Sequence, residues 1–298
     1  MKTKLDYLTD KNALNVPWVE SPFFYELLKN NNFTDKQKEM ATQYHEEGYL
    51  IVDLDISDND IETLRKEIHD HVEEGTSNRQ TNYEYTDSPR PFQFWKKSQI
   101  AKNIATNKNV LDTLEFLYGR KAFPFSTINF LKGSQQPLHS DAFHFHSIPQ
   151  LYMVGSWAAL EDVDESNGTL RIVPGSHKWG TWDYINLNLP HPDDRENGEV
   201  ANYNDYENFV RAMVEIHNGK EKHVTLKKGQ TLLWACNLLH GGIPIKDKSR
   251  TRFTQATHYF FEGCDQYYHP MFSKPFEGKY AKKWCDENNN VFNYKEQQ

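Results

Sequence analysis

The sequence predicts a mainly β protein with flanking helices, built as a sandwich or barrel rather than from βαβ units. Three observations carry this. From residue 121 onward, short β-branched and aromatic runs recur, each bounded by Gly, Pro, Asn or Asp. The chain before that point reads mainly helical. Aromatic side chains make up 14% of the 298 residues, a bias toward strands and aromatic-lined pockets.

The elements follow in order. Thr34 is placed to cap a helix over Asp35–Glu47 that Gly48 ends. Tyr49–Leu54 reads as a strand. Ser57 caps a second helix with Ile61, Leu64 and Ile68 at helical spacing. Residues 76–91 are polar, end in Ser88-Pro89-Arg90-Pro91, and read as loop. Ile100–Tyr118 reads as one helix striped by Ile104, Val110, Leu111, Leu114 and Leu117 and stopped by Gly119. Strands are expected near 122–132, 137–145, 151–161, 169–173, 222–227, 230–236 and 252–262. Residues 177–221 interrupt them, too long for a simple connection, and read as a lid or binding loop. The expected organisation is one domain over 1–298: a helical part to 120, a β core over 121–262, and an extension over 263–298.

A net charge of −8 argues against nucleic acid or an anionic membrane as the main partner. The apolar runs are far shorter than a membrane span. The start, Met1 to Tyr7, lacks the apolar core of a secretion signal. Cys236, Cys264 and Cys285 are odd in number and sparse, which speaks against a disulfide framework. A cytoplasmic enzyme acting on a small molecule is the simplest reading; the oligomeric state is not legible.

The chemistry centres on His139-Ser140-Asp141. Residues i and i+2 of a strand share a face, so His139 and Asp141 can grip one metal. His240, after the apolar run Thr231–Ala235, supplies a third ligand. Three ligands on one side leave positions open on the other, which suits non-haem Fe(II) binding a co-substrate and O2 together. A lone H-x-D is weak evidence. His191-Pro192-Asp193 is another, but its prolines mark a surface loop. His144-Phe145-His146 is a rival pair of the kind cupin-type sites use. Within a continuous strand its parity opposes that of 139 and 141, so a shared ion would need a bulge. Downstream, Arg250-Thr251-Arg252-Phe253-Thr254 places an arginine where an acidic co-substrate's far carboxylate would need a bidentate partner.

The order of motifs resembles the phytanoyl-CoA dioxygenase family. It runs from His139-Ser140-Asp141 through Trp157-Ala158-Ala159-Leu160-Glu161-Asp162, Asn167-Gly168-Thr169-Leu170 and Pro174-Gly175-Ser176-His177 to His240-Gly241-Gly242, then Arg252 before His258-Tyr259. The resemblance covers residues 35–265. It implies a double-stranded β-helix (jelly-roll, cupin-like) core, Fe(II), 2-oxoglutarate as co-substrate, and O2. By the same resemblance His139, Asp141 and His240 hold the iron. Arg252 pairs with the C5 carboxylate of 2-oxoglutarate, with Arg250 as its competitor, and Thr254 adds a hydroxyl on the same face. Trp157 lines the co-substrate pocket, and Thr127 and Asn129 reach 2-oxoglutarate from the preceding strand. Gly242 stands where some members carry Ser. Asn167-Gly168 and Pro174-Gly175-Ser176 read as turns, and His177 as a turn or entrance residue.

Because Asp141 is present where halogenating relatives carry a small residue, the implied reaction is hydroxylation, with 2-oxoglutarate decarboxylated to succinate. Desaturation, epimerisation and cyclisation use the same ligands. Candidate substrate residues are His144, His146 and Trp182, with Trp179 and Tyr184 nearby and Arg90 and Arg171 for an anionic substrate. The plainer reading of each is a packed aromatic or a solvated charge. Two alternatives stand beside this one. A cupin-type metalloenzyme using His144 and His146 would not need Arg252. A non-catalytic β-helix protein binding a sugar or metabolite would not need an open metal face.

Overall fold

The computed structural model describes residues 2–74, 89–189 and 203–280, and the backbone of 284–285 and 291–292. Most of the loop expected over 76–91, and the decoy His191-Pro192-Asp193, lie outside the described residues.

Two short helices, α1 (Lys4–Thr9) and α2 (Phe24–Asn30), precede α3 (Asp35–Glu47). Thr34 and Gln37 cap α3 reciprocally, and Gly48 ends it at φ 80°, where a side chain would be strained. Strand β1 (Tyr49–Asp53) and helix α4 (Asp58–Glu73), capped by Ser57, also fall where expected. The single helix expected over 100–118 is two: α5 (Gln99–Ala105) and α6 (Lys108–Tyr118). Asn107 makes the break. Its side-chain oxygen accepts the Asn109 and Val110 N–H groups while its amide donates to Leu54 O at 2.7 Å. The apolar stripe continues across the break, so periodicity hides it.

The strands are β2 (Ala122–Phe130), β3 (His146–Ile148), β4 (Met153–Ala159), β5 (Leu170–Ile172), β6 (Lys222–His223), β7 (Gln230–Ala235), β8 (His240–Gly242), β9 (Thr254–Phe261), β10 (Gln266–Tyr268), β11 (Trp284–Cys285) and β12 (Val291–Phe292). An antiparallel sheet runs β1-β7-β4-β9-β2, and a smaller one runs β6-β5-β8. Strand parity divides the large sheet into two faces. Val154, Ala158, Leu233, Ala235, Tyr259 and Phe261 pack under the helices against residues such as Tyr44, Ile104 and Leu114. Phe130, Trp157, Leu232, Trp234 and Ala256 face the small sheet and meet Leu170, Ile172 and Leu226. Burial on both faces explains why these strands read as continuous apolar runs. The result is a mainly β jelly roll with helices on one side.

Four further points depart from the sequence reading. The strand expected over 137–145 does not form. His139 makes only an isolated bridge to His240, and Asp141–Phe143 is a 3-10 turn. Pro137 has no N–H to give to a ladder. Beyond it, the Ala142 N–H goes to Cys236 O, and those of His144 and Phe145 both return to Asp141 O. The turn resets the alternation, so the parity comparison of 139 and 141 with 144 and 146 does not apply.

Second, the region 177–221 contains helix α7 (Tyr203–Ile216). Tyr203, Tyr206, Val210 and Val214 form its apolar stripe against Phe143 and Leu239. That spacing was readable, but the Asn and Asp between the apolar residues made it look like loop. Third, β8 contains Gly241 and Gly242 and lacks strand propensity. A Cβ on Gly241 would sit 2.7 Å from Gln136 O and one on Gly242 2.7 Å from Gln135 N, because the 135–137 backbone crosses there. The expected strand over 222–227 also shortens, to β6 plus a bridge between Val163 and Leu226.

Candidate metal centre

His139 and His240 face each other across a two-way backbone bridge: each N–H donates to the other's carbonyl at 2.9 Å. Each imidazole binds the carbonyl two residues back through Nδ1, His139 to Pro137 O at 2.9 Å and His240 to Leu238 O at 3.0 Å. With Nδ1–H donating in this way, Nε2 carries the free lone pair, the form a metal needs. The rings lie 4.4 Å apart between centroids. Asp141 enters from the 3-10 turn with Oδ1 3.8 Å from His240 Nε2. One donor atom from each of the three lies within 4.8 Å of the others, and all three residues are buried.

Electrostatics favour the metal-ready protonation states. Burial, with His240 nearby, lowers His139 to about 3, so it is neutral near pH 7. Burial opposes the charge of Asp141, but His240, His258 and His139 and the Trp234 N–H outweigh it and hold its pKa below the usual value. Two imidazoles and one carboxylate, all lining one cavity, are a donor set that fits Fe(II) with open positions.

The cavity holds about 190 Å³ and also exposes Phe130, Phe145, Trp157, Trp234, Arg252 and His258. Arg252 is almost fully buried. It donates to Gly168 O at 2.8 Å, and its guanidinium lies 5.1 Å from the Trp157 ring centroid and 5.4 Å from that of Phe130. No carboxylate among the described residues pairs with it, and its Nε is without a partner. Burial, with Arg90 nearby, pushes its pKa down to about 9. Arg250 is placed quite differently. It grips both Asp164 oxygens at 2.9 and 3.1 Å on a surface loop, outside the cavity.

The other expected residues divide. Trp157 and His144 are on the cavity wall. Thr254 is fully buried at even spacing from Arg252, its hydroxyl without a partner, but it does not reach the wall. Thr127 and Asn129 are on the wrong face. Ile128 and Phe130 point inward, so alternation turns Thr127 and Asn129 toward the helices. There the Asn129 amide donates to Gln255 Oε1 at 3.1 Å. His146 is buried away from the cavity, its Nε2 3.7 Å from Asp183. Trp182 is 37% exposed, binds Trp179 O, and lines a separate small cavity with Ser140 and Tyr206. Among the described residues His139, Asp141 and His240 form the one converging donor group, so the His144 and His146 pair builds no second metal set.

Sequence reasoning missed four residues that shape the site. His258 Nε2 lies 3.8 Å from Asp141 Oδ2, and its spacing of 252, 254, 256, 258 could have placed it on the inner face of β9. Trp234 donates to that same oxygen at 2.8 Å. Gly155 makes room for Trp234: a Cβ there would fall 2.3 Å from the indole. Tyr206, from α7, accepts the Ser140 N–H at 2.7 Å. These last three contacts are long-range and leave no local signal. Gly242, where the resemblance admits Ser, has no room for a side chain, since a Cβ there would lie 2.7 Å from Gln135 N and 2.8 Å from Ser134 Oγ.

The chain is similar to known proteins over most of its length. Human peroxisomal phytanoyl-CoA dioxygenase is 25% identical over 268 residues, 82% of this chain and 73% of the human one. The mouse relative is 25% identical, with the alignment covering 73% of this chain and 66% of the mouse protein. The ectoine dioxygenase of Sphingopyxis alaskensis is 22% identical over 67% of this chain and 68% of its own length. Among solved structures, iron-bound EctD from S. alaskensis superposes with a TM-score of 0.57 at 17% identity, covering 77% of both chains. The epimerase SnoN, in complex with Fe3+, alpha ketoglutarate and nogalamycin RO, gives 0.57 at 19% identity, covering 81% and 88%. By class, the chain is a non-haem Fe(II)- and 2-oxoglutarate-dependent dioxygenase. It belongs to the phytanoyl-CoA dioxygenase family, whose model matches residues 44–252.

Proposed function

We propose that the chain hydroxylates an unactivated C–H bond of a small metabolite, with His139, Asp141 and His240 holding Fe(II) and Arg252 holding the C5 carboxylate of 2-oxoglutarate. One observation carries the reading: a buried guanidinium with no carboxylate partner among the described residues lines the same cavity as three converging metal donors. A buried unpaired cation is costly unless a ligand completes it.

Iron, when bound, supplies the redox chemistry that couples O2 and the decarboxylation of 2-oxoglutarate to succinate with C–H oxidation. The chain supplies position and dryness. The carbonyls of Pro137 and Leu238 orient the two imidazoles, and the Trp234 N–H orients Asp141. Arg252 fixes the co-substrate's far end, with Trp157 and Phe130 walling it from water. His144 and His258 remain on the wall for the substrate. Asp141 keeps a carboxylate at the position that halogenation would need open, which supports hydroxylation over that outcome. The free thiols of Cys236 and Cys264 fit a reducing compartment such as the cytoplasm. Among the described residues no helix is long and apolar enough to cross a membrane.

The test is succinate formation from 2-oxoglutarate with Fe(II), O2 and a panel of small metabolites. At least one member should raise succinate by about tenfold over the substrate-free rate, a 1.4 kcal/mol effect, and gain one oxygen by mass. Asp141→Ala should abolish both. Wild-type protein that binds Fe(II) yet makes no succinate above the metal-free control in any arm would contradict the reading.

A further inference from the structure

His258 is buried on the wall of the metal cavity, its ring against Phe145 and Phe125 at centroid distances of 5.0 and 6.0 Å. Its two nitrogens differ in surroundings. Nδ1 is buried and has no hydrogen-bond partner. A proton there would be a buried unsatisfied donor, so the proton of the neutral ring belongs on Nε2. Nε2 is not sealed off in this way, and it too makes no hydrogen bond among the described residues. Asp141 Oδ2 stands 3.8 Å away, beyond hydrogen-bond reach, and that oxygen already accepts the Trp234 N–H. An N–H donor therefore opens into the cavity beside the metal carboxylate, with no acceptor engaged.

Its place along β9 decides what it can meet. Thr254 pairs with Phe130 and His258 with Ser126, positions four residues apart, about 13 Å along the strand. Both arginines of the cavity, Arg90 and Arg252, stand at the Phe130 end, each 5.4 Å from that ring centroid. Arg171 is outside the cavity, bound to Glu221. The His258 end thus offers an aromatic wall, one open donor and the Asp141 carboxylate, and among the described residues no arginine or lysine lines it. An anion placed there would meet Asp141 with no cation to offset the repulsion. A co-substrate anchored on Arg252 occupies the other end, which leaves the donor for the substrate.

We propose that His258 donates its Nε2–H to an uncharged oxygen of the substrate, so that the enzyme selects neutral metabolites bearing a carbonyl, ether or hydroxyl group at this end of the cavity. The proposal deepens the oxygenase reading above and rests on it for the position of 2-oxoglutarate; the open donor stands on the geometry alone. His258 is a specificity residue, and it holds neither the metal nor the co-substrate.

The experiment uses the full chain as wild type, His258→Phe and His258→Gln, with thermal melts to check folding. Phenylalanine keeps the ring packing and removes the donor; glutamine gives up the ring and keeps an N–H of similar reach. Under anaerobic Fe(II), 2-oxoglutarate affinity is read from the visible charge-transfer band. Cyclopentanone, methylenecyclopentane and cyclopentanecarboxylate are then titrated into the Zn(II) protein, with and without 2-oxoglutarate, and followed by ligand-observed NMR. Wild type should prefer cyclopentanone to both other probes. His258→Phe should weaken cyclopentanone about fivefold, the worth of one neutral hydrogen bond, and leave methylenecyclopentane and 2-oxoglutarate within about twofold. His258→Gln should recover part of the loss, and imidazole 15N shifts of wild type should place the His258 proton on Nε2.

Three results would overturn the proposal: wild type that binds methylenecyclopentane or cyclopentanecarboxylate as tightly as cyclopentanone, a His258 proton on Nδ1, or loss of metal or 2-oxoglutarate binding in His258→Phe to the same degree as loss of cyclopentanone. A normal band with no preference among the probes leaves the oxygenase reading intact and ends this one. If wild type shows no band but still binds cyclopentanone through His258, the oxygenase reading fails and the donor site stands.

Discussion

Trp234 donates its indole N–H to Asp141 Oδ2 at 2.8 Å, reaching the carboxylate across a bare stretch of the neighbouring strand. That stretch is Gly155, paired directly with Trp234, where any Cβ would strike the indole. A glycine in the middle of a strand is normally a weakness; here it gives the carboxylate its orientation. Gly155→Ala should therefore cost about 1–3 kcal/mol, the usual toll of overpacking, and also weaken metal binding. Urea melts and Co(II) titration followed by visible absorption check the two effects. A melt like wild type would mean that the indole has somewhere else to go.

Tyr206 ties α7 to the metal loop. Its hydroxyl accepts the N–H of Ser140, the residue between two of the donors, and its ring stacks on Phe143 with centroids 3.8 Å apart. Tyr206→Phe keeps the stacking and strands a buried N–H. The expected result is Co(II) affinity reduced by about tenfold, the low end for groups that orient metal ligands, with the fold retained by circular dichroism. Unchanged affinity would show that the metal loop holds its shape without α7.

Much of this was legible in the sequence. Capping residues and periodicity placed α3, β1 and α4, because those signals are local. His139, Asp141 and His240 were legible as a set because their spacing, with Arg252 downstream, follows a known order of motifs. The route by which they converge was not: the expected strand is a bridge and a 3-10 turn, decided by hydrogen bonds to Cys236 and within the turn. Thr127 and Asn129 were misplaced because alternation says which residues share a face, not which face looks inward.

That misplacement has a measurable consequence. Asn129 bonds Gln255, and Gln255 in turn donates to Ala101 O at 2.9 Å, in the layer between sheet and helices. Asn129→Ala should destabilise the protein by about 1–3 kcal/mol, the cost of leaving a buried polar partner unsatisfied. It should leave 2-oxoglutarate affinity unchanged. A stable variant with weakened co-substrate binding would put Asn129 back in the pocket.

His177 predicts an acid-side instability. Burial lowers its pKa to about 4, only partly offset by its bond to His45 O at 3.0 Å. The unfolded chain takes up a proton at about 6.5, whereas the folded protein resists until about 4. Stability is thus highest above that window and falls as pH drops through it, by up to about 1.4 kcal/mol per pH unit for one proton. Buried His139, lowered to about 3, adds to the same slope in metal-free protein. Chemical melts of metal-free wild type and His177→Asn between about pH 7 and about pH 4 should show a shallower slope in the variant. Parallel slopes would mean that His177 protonates freely in the fold.

The central claim is that one cavity binds Fe(II) through His139, Asp141 and His240 and 2-oxoglutarate through Arg252. The most direct test is the visible charge-transfer band formed when 2-oxoglutarate is added to the anaerobic Fe(II) protein. The account predicts a band in wild type and in Arg250→Ala, whose arginine is engaged on the surface by Asp164. It predicts no band in His139→Ala and a band in Arg252→Gln only at 2-oxoglutarate concentrations at least about tenfold higher. No band in wild-type protein shown to hold Fe(II), or a band that depends on Arg250 and not on Arg252, would contradict it.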